Sequence, residues 1–121
     1  MKVQFVAFST LFVLLLSAGR ADASATLAID TSQGRLYGWA INNDSQSSAD
    51  MLALLQCRGT CSIVMRFAHT CAAYAVDQGS NSLAYGWADD PNPSHAQKRA
   101  FNICRSQGGI NCILVIWGCD R

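Results

Sequence analysis

The segment Leu36-Tyr37-Gly38-Trp39-Ala40 returns as Leu83-Ala84-Tyr85-Gly86-Trp87-Ala88, and similar sequence precedes and follows each copy. A chain duplicated in this way is expected to fold as two like units that share one core. In the first unit, residues 25–30 form an apolar, strand-like run. Thr31-Ser32-Gln33-Gly34 then carries turn chemistry, and residues 35–41 return as the second arm of a hairpin. The second unit repeats this order with residues 72–77, the turn Gln78-Gly79-Ser80-Asn81 and residues 82–88. Within each Tyr-Gly-Trp the two aromatic rings are two residues apart and so share one sheet face. The glycine between them leaves the opposite face open to a close neighbour.

Each hairpin is followed by a polar turn and a helical pattern. Ser47 with Asp50 three residues on, and Ser94 with Gln97 three residues on, read as helix-starting capping boxes. Ala49, Ala53 and Cys57 then recur at four-residue spacing, as do Ala96, Ala100 and Cys104, which gives each helix a small-residue face for close packing on a sheet. Leu52 and Leu55, or Phe101 and Ile103, supply bulk beside that face. Gly59 and Gly108-Gly109 supply the left-handed turn that ends a helix. The apolar runs at 62–67 and 113–117 read as central strands covered on both faces. The expected fold class is α+β: internally duplicated strand-strand-helix-strand units, a mainly antiparallel sheet covered by two helices, pseudo-twofold symmetry and three disulfides.

Residues 1–23 read as a signal peptide. Lys2 is followed by an apolar run from 3 to 16, and Ala21-Asp22-Ala23 satisfies the small-x-small cleavage rule, as does Ala23-Ser24-Ala25. The run is shorter than the ~20 residues of a spanning helix, so no membrane insertion is expected after cleavage. Residues 24–121 then form a single duplicated domain, with repeat one over about 25–70 and repeat two over about 71–121. Cleavage removes Lys2 and Arg20 from nine basic residues and Asp22 from eight acidic ones, leaving seven of each. A neutral domain lacks the concentrated positive charge that nucleic acid or an anionic membrane requires.

All six cysteines, Cys57, Cys61, Cys71, Cys104, Cys112 and Cys119, lie beyond the signal segment, as expected of a disulfide-stapled exported domain. Six cysteines allow fifteen connectivities, and sequence alone does not choose among them. The duplication equates Cys57 with Cys104, Cys61 with Cys112 and Cys71 with Cys119. A pairing that respects this symmetry is Cys57–Cys61, Cys104–Cys112 and Cys71–Cys119. The Cys57-x-x-x-Cys61 spacing with His69 and Cys71 lacks the two-residue interval of structural zinc sites, so neither a metal nor another cofactor is expected.

Tyr37-Gly38-Trp39-Ala40, the alanine-rich helix, Cys57-Arg58-Gly59-Thr60-Cys61, Cys71-Ala72-Ala73-Tyr74-Ala75 and Trp117-Gly118-Cys119-Asp120 together resemble the bacterial domain-of-unknown-function 4189 family. The resemblance covers residues 36–120. It implies a small exported or secreted protein, periplasmic or extracellular, and carries over no enzymatic activity and no catalytic residue.

No catalytic residue is assigned from the motifs. His69 and His95, with Lys98 beside His95, could cleave a phosphodiester by acid-base chemistry, but the repeat equates His69 with Trp117 and His95 with Ser48, which reads as packing and an exposed first turn. Asp44 and Asp50 in one copy and Asp89 and Asp90 in the other could act as paired carboxylates on a glycoside, yet each lies among helix-capping and turn residues. The repeated aromatics read as duplicated core. Binding is therefore expected where the copies differ, at Asn43, Asp44, Asp89, Asp90, Asn92 and Gln107. The expected partner is another protein, with the chain acting as an inhibitor, immunity-type module or secreted effector. A small hydrolase of cell wall or RNA is the alternative, and a structural envelope protein the third.

Overall fold

A computed structural model describes residues 24–121; the signal-peptide reading of residues 1–23 lies outside them. The elements run β1 (Ser24–Ile29), β2 (Tyr37–Asn43), α1 (Gln46–Cys57), β3 (Ser62–Phe67), β4 (Cys71–Asp77), β5 (Tyr85–Asp90), α2 (Pro93–Ser106) and β6 (Cys112–Cys119). They form an α+β fold in which the strand-strand-helix-strand unit occurs twice. The strands make two antiparallel sheets of three, in the orders β2-β1-β3 and β5-β4-β6, so each unit completes its own sheet. The inner faces of the two sheets meet, and a helix lies on each outer face.

β1 and β4 are the central strands, and the apolar runs of β3 and β6 lie at sheet edges rather than at the centres expected from sequence. Such a run reports cover above and below the strand. A helix layer on one side and a second sheet on the other give that cover to an edge strand too, and the run carries no information about hydrogen-bonding neighbours.

Side chains of β1 and β4 alternate between the two faces. Ala28 on β1, and Ala73 and Ala75 on β4, meet the helix alanines Ala49 and Ala53 or Ala96 and Ala100. Leu27, Ile29, Tyr74 and Val76 point between the sheets, where Tyr37, Trp39, Tyr85 and Trp87 join them. The glycines of Tyr-Gly-Trp sit directly beneath helix backbone: a Cβ on Gly38 would lie 1.7 Å from the Ala53 carbonyl oxygen, and one on Gly86 2.5 Å from that of Ala100. The repeat therefore marks the strand on which each helix rests.

Tyr74, wholly buried, stands between the rings of Tyr37 and Tyr85 at 5.6 and 6.3 Å. Its hydroxyl donates to the Gly34 carbonyl in the first hairpin turn, and burial raises its pKa well above the usual phenol range. Tyr85 also reaches that turn, donating to the Thr31 carbonyl at 3.2 Å. At the other end, the buried Asp120 accepts from the backbone N–H groups of Asn42 (2.7 Å) and His69 (3.4 Å), both in the left-handed region. These contacts tie the two units together at both ends of the sandwich.

The disulfides are Cys57–Cys61, Cys104–Cys112 and Cys71–Cys119, the symmetric pairing expected from the duplication. The first two join a helix end to the next strand, and the third links directly opposed residues of β4 and β6. The helix starts differ from the capping boxes read in the sequence. Ser45 caps α1 by accepting from the Ser48 N–H, and Asn92 caps α2 by accepting from Ser94 and His95. Pro93 opens α2, where its missing N–H costs nothing. Arg58 itself, at φ 60°, ends α1 in the left-handed conformation expected at Gly59.

Alanine at Gly38 is expected to destabilise the fold by about 3 kcal/mol and at Gly86 by about 1–3 kcal/mol, because each methyl group overlaps helix backbone that cannot rotate away. Thermal unfolding of the oxidised protein checks this. Gly118→Ala is the control, since its Cβ would come no closer than 3.4 Å to Trp39, and its midpoint should hardly move.

Candidate functional site

The residues singled out for binding fall into separate places. Asn43 ends β2, with its side-chain amide on the Ile41 carbonyl (3.2 Å), and Asp44 is exposed in the turn into α1. Asp89 and Asp90 end β5, and Asn92 caps α2. Asp90 accepts from the Asn92 N–H at 2.9 Å and lies 3.7 Å from His95 Nδ1 and 3.8 Å from Arg99 Nη1. Gln107 closes the opposite end of α2, its side-chain oxygen 3.5 Å from the Tyr85 N–H. The structure thus gathers Asp89, Asp90 and Asn92 at one helix start and leaves Asn43 with Asp44 at the other, while Gln107 stands apart from both.

Nor do the histidines make a catalytic pair. His69 is exposed in the turn after β3 at φ 58°, and strand register equates Trp117 with Arg66 rather than with His69, so the packed position expected from that equivalence does not arise. His95 faces Asp90 in the first turn of α2. Among the described residues no cluster of three or more His, Cys, Asp or Glu side chains could hold a metal ion, and no helix is long and apolar enough to cross a membrane.

The strongest differences between the copies lie on the helices and edge strands. Taking Ala49 with Ala96 and Ala53 with Ala100 aligns Met51, Leu52 and Leu55 of α1 with Lys98, Arg99 and Asn102 of α2. All three α1 side chains are exposed, Met51 by 62% and Leu55 by 67%, as is Leu54 beside them. The same helical position in the same frame is therefore apolar in one copy and polar in the other.

The second difference lies between each helix and its edge strand. In the first copy Arg66 of β3 grips Asp50 of α1, donating from Nε at 3.1 Å and Nη2 at 3.0 Å to Oδ2. Buried Thr26 donates to the same carboxylate at 2.6 Å, and Gln46 at 3.1 Å. In the second copy Ala73, Gln97 and Trp117 occupy the matching positions, since Thr26 pairs with Arg66 as Ala73 pairs with Trp117. No clamp forms there, and a shallow, open groove of about 430 Å³ runs along α2, lined by Ser94, Gln97, Lys98, Phe101 and Leu114. A further cleft of about 370 Å³ lies between the two hairpin turns, where Arg35 crosses to the Gly79 carbonyl at 2.8 Å. A separate, smaller pocket of about 130 Å³ shares Arg35 and Gln78 with it and is lined by Asp77, but that carboxylate is already engaged by Ser82 and the Asn111 N–H, which lower its pKa.

A family model, described as a domain of unknown function (DUF4189), matches residues 25–119, from the second residue of β1 to the last residue of β6. The chain belongs to the DUF4189 family. Comparison with curated proteins and with solved structures finds no match. The DUF4189 match spans both units, all six cysteines and both Tyr-Gly-Trp segments, so the family is defined over the whole duplicated frame.

The α1 face and the open groove lie on helices and edge strands, away from the turns where the two copies differ most visibly in sequence. Aligning the two helices residue by residue exposes the first. The second needs the strand register, which pairs Arg66 and Trp117 with their equivalents.

The clamp has a measurable acid response. The Arg66 hydrogen bond, aided by Thr26 and Gln46, lowers the Asp50 pKa from 3.8 to about 2. The folded state thus binds this proton less readily than the unfolded chain, and the resulting stability is present above 3.8 and lost as pH falls through about 2. Asp50→Asn is expected to lower stability at neutral pH and to flatten the decline across that acid window. Urea denaturation from neutral pH downward reads both effects.

Proposed function

We propose that this DUF4189 domain is an exported, non-enzymatic module that binds another protein, as a periplasmic inhibitor, an immunity-type protein or a secreted effector. The observation that carries this reading is the exposed apolar face of α1. Its counterparts Lys98, Arg99 and Asn102 occupy the same positions of an equivalent helix, so the fold itself does not require Met51, Leu52 and Leu55 to be apolar. An apolar surface that the scaffold can do without is accounted for by a partner that covers it. Three disulfides suit an oxidising compartment, and a rigid frame suits a binder because little order is lost on association.

The test grafts the second helix onto the first. M51K/L52R/L55N is expected to melt like the parent protein and to lose partner capture from periplasmic and secreted extracts by about tenfold or more. Undiminished capture by this variant would overturn the reading. Retention of nothing by the parent, accompanied by turnover of cell wall or RNA, would replace it with a hydrolase.

A further inference from the structure

We propose that the open edge of β6 and the groove between β6 and α2 receive an extended, acidic peptide segment of another protein, which adds to the sheet as a fourth strand. This extends the protein-binding reading to the opposite side of the sandwich from α1 and does not depend on the α1 face.

β6 is an edge strand of eight residues, Cys-Ile-Leu-Val-Ile-Trp-Gly-Cys, without a charge or a proline. Among the described residues its strand partner is β4, which leaves the outward N–H and C=O groups of β6 for another chain. Edge strands that stay single are blunted by charge, proline or cover. β3 has that protection: Arg66 stands on it and is locked to Asp50 across the helix-strand gap. At the matching position β6 places Trp117, 51% exposed, and Leu114 is 36% exposed on the same side. These two residues stand opposite Ala73 and Ala75, which pack beneath α2, so both lie along the helix side of the strand.

Charge selects the occupant. α2 carries His95, Lys98, Arg99 and Arg105 and no carboxylate. Arg99 is engaged by the Asp89 carbonyl and lies beside Asp90, and Arg105 lies over the Phe101 ring. Lys98 lines the groove and makes no ion pair among the described residues. A second copy of this chain paired through β6 would set one cationic helix beside another. A segment of another protein with apolar and acidic side chains taking turns along one face would instead set the former against Leu114 and Trp117 and the latter near Lys98. Main-chain pairing supplies affinity and the alternate side chains supply specificity.

The probe is a fluorescein-labelled eight-residue peptide with threonine at every second position and valine and aspartate taking turns between them. Fluorescence anisotropy with the oxidised protein should show binding about tenfold tighter than for the same peptide with lysine in place of aspartate, and Lys98→Glu should reverse the order. Two N-methylated versions, blocking the N–H groups of one edge of the strand or of the other, should differ: one loses binding and the other keeps it. M51K/L52R/L55N should bind the peptide like the parent, which separates this site from the α1 face. Equal binding of the acidic and lysine peptides, equal behaviour of the N-methylated pair, or no binding at millimolar concentration would each overturn the proposal.

Discussion

The close seat of each helix on a glycine is the constraint from which the rest of this structure follows. With helix backbone pressed onto Gly38 and Gly86, the facing positions must be small, and alanine fills them at residues 49 and 53 and again at 96 and 100. Close approach on one side of the strand leaves the large side chains to the other. Tyr37, Trp39, Tyr85 and Trp87 therefore point inward, and the bulk of the apolar core lies between the sheets. A small-residue layer outside and an aromatic layer inside are two consequences of one packing decision.

The two units are held together unequally. Their sheets share no hydrogen-bonded strand pair, so association rests on the interdigitated inner faces and on a few polar ties at the ends. Tyr74 is central to this arrangement because its ring fills the interface while its hydroxyl finds a carbonyl in the other unit's turn. Asp120 does the corresponding work at the far end, satisfying two backbone amides that strained, left-handed residues turn toward it. Both contacts are specific to one position of one copy. Duplication built the layers, and divergence locked them.

Divergence also decided which surfaces are available. The first copy seals the gap between helix and edge strand with a charged clamp but exposes an apolar helix face; the second has a polar helix face and leaves the gap open. Each copy thus acts as an internal control for the other. A feature found in only one of two equivalent frames is not demanded by the frame, and the domain offers different chemistry on its two sides.

The sequence by itself determined the repeated unit and its strand-strand-helix-strand order, because these depend on local periodicity and on equivalence between copies; for the cysteines that equivalence narrowed the pairings, and the tertiary structure decided among them. The sequence also placed the aromatic pairs on one face and the glycine on the other, since alternation along a strand is local. It did not determine that the units form two facing sheets, or that β3 and β6 stand at the edges, because an apolar run records only that a strand is covered above and below. The helix starts at Ser45 and Asn92 were displaced from Ser47 and Ser94 for a similar reason: several polar residues in each turn could cap, and the path of the preceding strand selected one. The Asp50–Arg66 clamp joins residues sixteen apart, and in the second copy, where no such contact forms, an open depression lies between Gln97 of α2 and Leu114 of β6. Both were decided by tertiary structure, because a gap between helix and strand exists only once the two have packed.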